Sequence, residues 1–96
     1  MKESTFQSNL IKTLKSKFVG CIIMKTDPNY IQGIPDLLIL YKNKWAALEC
    51  KKGISANVQP NQSYFVELMN NMSFSKFIYP ENEKEVLDGL QQAFKS

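Results

Sequence analysis

Histidine and arginine are both absent from this 96-residue chain. Without imidazole there is no serine-type triad, no histidine-dependent metal hydrolase and no zinc site of mixed ligand type. Without guanidinium, all twelve basic side chains are lysines, so phosphate is met by point charges and not by bidentate forks. Cysteine is scarce: Cys21 and Cys50 stand far apart, form no CxxC pair and each lie in an apolar run. Two buried, reduced thiols are expected, not a disulfide scaffold. No apolar run approaches the length of a bilayer span, and no basic-then-apolar leader opens the chain. The expectation is a soluble, intracellular, cytoplasmic protein without a membrane partner.

What is present suffices for one core. Hydrophobic residues make up 44% of the chain and aromatic residues 11%, which suits a single domain over residues 1–96. The net charge of +3 is unevenly spread, with acids concentrated after position 80 and lysines in excess before it. A basic body suits a polyanionic partner, and it equally suits an ordinary solvated lysine surface; charge alone does not choose.

Phe6, Leu10, Leu14 and Phe18 recur every four residues, which predicts a helix over 3–17 with Glu3 on or near its buried stripe. Residues 18–25 read as a strand, and "TDPNYIQG" as a loop broken by Asp-Pro and Gly33. "PDLLILY" and "KWAALECK" are two further strands meeting at Lys42-Asn43, and "GISANVQ" is a loop. Pro60 suits the first position of a helix whose apolar face is Tyr64, Phe65, Leu68, Met69 and Met72. "SKFIYP" is a short strand. A last helix from about Asn82 turns Val86, Leu87, Leu90 and Phe94 inward. The order is αβββαβα, an α/β arrangement.

The central hairpin carries three charges that a buried sheet does not need. If Lys42-Asn43 is a two-residue turn, facing residues have numbers summing to 85, and Asp36 faces Glu49. Cross-strand partners hold their Cβ atoms about 4.5–5.5 Å apart. Lys51, two residues beyond Glu49, points to the same side of the sheet. Both faces of the hairpin are apolar, so it is expected at the centre of the sheet with helices on both sides. Two adjacent carboxylates repel, and a divalent cation between them relieves the repulsion. Oxygen ligands of this kind suit Mg²⁺ or Mn²⁺, and water activated by such a cation attacks phosphorus. A Glu49–Lys51–Asp36 salt bridge at a strand end is the plainer reading of the same three residues.

Pro35-Asp36 … Glu49-Cys50-Lys51 in this element order resembles the PD-(D/E)XK nuclease signature. The wider stretch "QGIPDLLIL…WAALECKK…QPNQ" resembles the virus-type replication-repair nuclease (VRR-NUC) branch, whose small phage and bacterial members are stand-alone Holliday-junction resolvase-like enzymes. The resemblance implies a restriction-endonuclease-like core with a central mixed four-stranded sheet. It also implies an Mg²⁺-dependent endonuclease of branched DNA, working as a homodimer. By the same resemblance Asp36, Glu49 and the backbone carbonyl of Cys50 hold the metal, and Lys51 is the catalytic lysine. Glu3 matches an acid that the family places on its first helix near the metal; as a helix N-terminal acid it also has a purely structural reading. Gln62 matches a glutamine on the helix after the catalytic strand, where free N–H groups favour an anion; it also suits an ordinary cap. Lys52 has phosphate and solvent readings. Tyr30 and Ile31 have three: DNA, a second subunit or the core. A flap or nicking endonuclease of the same superfamily is the second reading of the whole, and a non-catalytic DNA-binding module with this fold is the third.

Overall fold

The computed structural model describes residues 2–95. Helix α1 (Glu3–Lys17) leads into β1 (Ile22–Lys25), β2 (Leu37–Tyr41) and β3 (Lys44–Cys50), followed by α2 (Pro60–Met72), β4 (Phe74–Ile78) and α3 (Glu83–Lys95). The four strands form one sheet in chain order. β1–β2 and β2–β3 pair antiparallel, and β3–β4 pairs parallel through the α2 crossover, so the sheet is mixed and the β2–β3 hairpin occupies its centre.

The four-residue apolar spacing of α1 buries Phe6, Leu10 and Leu14 against the sheet, each burial worth roughly 1.5–3 kcal/mol. Glu3 in its first turn and Lys15 and Lys17 in its last complement the helix dipole. Helix α3 presents Val86, Leu87, Leu90 and Phe94 to the same core. Leu37, Ile39, Ala46, Leu48 and Cys50 form the sheet face beneath both helices, and Phe18, Tyr41 and Phe94 close one end with ring centroids 5.1–5.5 Å apart. The apolar side of α3 is therefore core and offers no surface to a second subunit.

Three expectations change. The strand expected over 18–25 is confined to Ile22–Lys25, because Phe18 caps α1 and Gly20 leaves the helix at φ 92°. Cys50 is fully buried, whereas Cys21 is only partly so; both are free thiols. Helix α2 is rotated from the face its apolar residues suggest. Val66 is buried, while Tyr64, Leu68 and Met72 are exposed. The helix packs chiefly on β4 and β3, and its inward stripe includes Gln62, whose polar partners lie on β3 and beyond. The sheet face beside it keeps Ile22 and Met24 exposed, with Leu38 and Leu40 half-buried. No helix among the described residues is long and apolar enough to cross a membrane.

Candidate active site

The hairpin register places the acids. Leu37 faces Leu48 and Tyr41 faces Lys44, the pairing expected of a two-residue turn, and continuing it by one residue sets Asp36 opposite Glu49. Asp36 lies just past the end of β2, so its side chain replaces the next rung of the ladder: the Cys50 N–H donates to Asp36 Oδ2 at 2.9 Å. On the other side Thr26 fixes the same segment. Its N–H donates to the Asp36 carbonyl at 3.0 Å and its hydroxyl to the Pro35 carbonyl at 2.6 Å. Sequence reading missed Thr26, although it sits where the β1–β2 register, extended by one, meets Asp36.

Glu49 is 2% exposed and Lys51 8%. Between them stands Gln62 in the first turn of α2. Its Nε2 donates to Glu49 Oε2 at 3.1 Å, and its Oε1 accepts from Lys51 Nζ at 2.8 Å. The same Oε1 accepts from the Gln59 N–H at 3.0 Å, half of a capping box. Gln62 is thus cap and bridge at once, and it explains how Lys51 Nζ, 3.9 Å from Glu49 Oε2, is held beside the acid without direct contact.

Charge is under strain here. Burial first, and then the neighbouring Asp36, push the Glu49 carboxyl up to about 8, with Lys51 offsetting part of the effect and Glu3 adding to it. Burial also raises Asp36, opposed by the Cys50 amide, the Lys51 ammonium and the facing Glu49 carboxyl. Glu49 Oε1 is buried and has no hydrogen-bond partner among the described residues. A carboxylate oxygen left bare beside a second carboxylate is a place for a hard cation. Asp36 and Glu49 could hold such an ion together with the Cys50 carbonyl. Glu3 is exposed, though close enough to act on Glu49 electrostatically. Among the described residues no three Asp, Glu or Cys side chains converge in metal-holding geometry.

The other site expectations fall outside this cluster. Lys52 is exposed, as are Tyr30 at 84% and Ile31 at 38%. The Cys50 thiol faces the core, near Gln7, and burial with the adjacent acids pushes it up to about 12. Gly33, at φ 91°, lets the loop before Asp36 run against Asn61 in the first turn of α2, where a Cβ would come within 2.7 Å. Two segments distant in sequence are locked together at the site by this contact. Comparison with protein-family models, with curated proteins and with solved structures gives no match to this chain.

Proposed function

We propose that the chain is a metal-dependent, structure-selective DNA endonuclease that hydrolyses phosphodiester bonds in branched DNA, on a restriction-endonuclease-like core of the VRR-NUC type. The observation carrying this reading is the buried Glu49 facing the half-buried Asp36, with Lys51 held beside it through Gln62. The Lys51–Glu49 ion pair engages Oε2 and leaves Glu49 Oε1 open for a cation. Asp36, Glu49 and the Cys50 carbonyl would hold Mg²⁺, for which Mn²⁺ would substitute. When bound, the cation supplies the charge that makes water nucleophilic and offsets the developing charge on the phosphate.

The chain's own groups do the rest. The Cys50 N–H orients Asp36, and Thr26 holds the backbone that carries it. Gln62 fixes the Lys51 ammonium on the carboxylate side of the sheet, where it meets a phosphoryl oxygen whose negative charge grows as the bond breaks. The twofold symmetry of a four-way junction calls for two such sites and hence a homodimer. Tyr30 and Ile31, with Ile22 and Met24 on the open sheet face, are among the exposed apolar residues available to it.

The test is cleavage of a labelled four-way junction, a flap and a linear duplex, with and without Mg²⁺. Metal-dependent paired nicks in the junction support the proposal. Cutting confined to the flap, or single nicks, moves the reading to a flap or nicking enzyme. Binding without cleavage in any metal leaves a non-catalytic DNA-binding module.

A further inference from the structure

At the far end of β3 from Glu49 lies a cavity of about 500 Å³ lined by Lys17, Lys42, Lys44 and Lys95 over the rings of Tyr41 and Phe94. No acid lines it. The ion pairs found among the described residues, Lys51–Glu49 and Lys84–Asp88, involve none of these four lysines. Lys17 and Lys95 end α1 and α3, so the helix dipoles account for them. Lys42 and Lys44 have no such reason to be there. Lys42 adopts φ 57° at the first position of the hairpin turn and stacks its ammonium over Tyr41, 5.2 Å from the ring centroid. Turns with left-handed backbone at that position favour glycine or asparagine, and a lysine there carries strain that its backbone does not repay.

We infer that this cavity is a second phosphate-binding site, which holds a segment of nucleic acid other than the one at the Asp36–Glu49 centre. The inference rests on the nuclease reading for its ligand, and on the lysine cavity for its place. Lys44 and Glu49 are five residue steps apart along β3, a span of about 17 Å, and their side chains leave opposite faces of the sheet. The cavity opens on the α1 and α3 side of the sheet and Glu49 faces α2, so one straight segment does not lie over both, whereas a branched substrate brings a second arm. Once one arm is bound, the other is present at high effective concentration, so a contact of modest intrinsic strength still adds to the total. Lysine point charges above an aromatic floor suit phosphodiesters presented in series, with no demand for bidentate geometry.

Two double variants of the full chain test this: Lys42→Gly with Lys44→Gln, and Lys17→Gln with Lys95→Gln. Glycine relieves the φ 57° turn, so the first variant should melt no lower than the parent. Binding of a labelled long-armed four-way junction is followed by anisotropy in Ca²⁺ across a salt titration. The slope of log affinity against log salt should fall by about 1.8 in each variant, roughly 0.9 per lysine lost. Nicking by saturating protein should stay at the parental rate, because Asp36, Glu49 and Lys51 are untouched. Should the parent bind junctions yet cut nothing, a reduced slope in the variants would still support the cavity while the nuclease reading failed. Parental slopes and affinities in both variants overturn the inference, with or without cleavage. Loss of nucleoside-triphosphate binding alone, with junction binding unchanged, overturns it as well by making the cavity a small-ligand site.

Discussion

Gln62 reaches Glu49 across thirteen positions of sequence, donating to Oε2 at 3.1 Å while its other amide atom receives Lys51. One neutral side chain thereby fixes the distance between a buried acid and a buried base. Gln62→Ala should remove that bridge and half of the capping box together. Stability should fall by about 1–3 kcal/mol by denaturant unfolding. Junction cleavage should fall about 10–100-fold, with kcat affected and DNA affinity held, as expected of a positioning residue. An unchanged kcat would separate Gln62 from catalysis.

Lys51→Ala should cost about 10²–10³-fold in cleavage under saturating metal, since it deletes charge aimed at the reacting phosphate. Metal binding should persist, because both carboxylates remain. Asp36→Asn should lose both, and calorimetric titration with Mn²⁺ distinguishes the two variants. Wild-type cutting by Lys51→Ala would refute this site.

Stability should depend on pH in a definite direction. A carboxyl raised to about 8 in the folded protein binds a proton there at pH values where the unfolded chain has already released it. Folded protein then holds more protons than unfolded, so the metal-free protein should lose stability as pH rises from about 5 through 8. Melting temperatures across that range are the measurement, and Glu49→Gln should flatten the decline. Mg²⁺ or Mn²⁺ should stabilise most at the alkaline end, where no proton competes for the carboxylates. A melting temperature that climbs from pH 5 to 8 would contradict the strained pair.

The two left-handed glycines should respond unequally. Gly20→Ala at φ 92° meets open space and should cost only the backbone term, about 1–2 kcal/mol. Gly33→Ala adds a contact of under 3 Å with Asn61 to the same term and should cost more. It should also reduce cleavage, because the displaced loop carries Asp36. Thermal melts and cleavage rates of the two variants check this ordering.

Assembly is tested by native mass spectrometry or light scattering, free and with junction DNA. A dimer is expected in at least the DNA-bound state, weakened by Met24→Glu on the open sheet face. A strict monomer that still makes paired nicks would remove the dimer.

Much of this arrangement was legible beforehand because it depends on short-range rules. A two-residue turn and alternating side chains suffice to set Asp36 against Glu49 and Lys51 on their side, and the structure keeps that register. The spacing of Phe6, Leu10 and Leu14 delimits α1 at Glu3–Lys17 for the same local reason. Helix α2 escaped because its rotation is decided by what lies beneath it. Read alone, Tyr64, Leu68 and Met72 outweigh Val66, yet the helix turns Gln62 and Val66 inward and leaves the larger residues in solvent. The link from Gln62 to Glu49 and Lys51 depends on that rotation and was equally hidden. Phe18 misled in another way, since a buried aromatic suits a strand until Gly20 is seen to bend the chain first.

Cys50 gives the centre a built-in clock. Its sulfur lies between Glu49 and Lys51 in the chain but points into the core, fully buried and with its thiol pushed up to about 12. While β3 stays paired, an alkylating reagent finds neither access nor thiolate, and only the partly exposed Cys21 reacts. Each modification of Cys50 therefore records one opening of the strand that carries the acid and the lysine. With a reagent slower than reclosing, the labelling rate of this single atom reports the fraction of time the centre stands open, independently of any substrate.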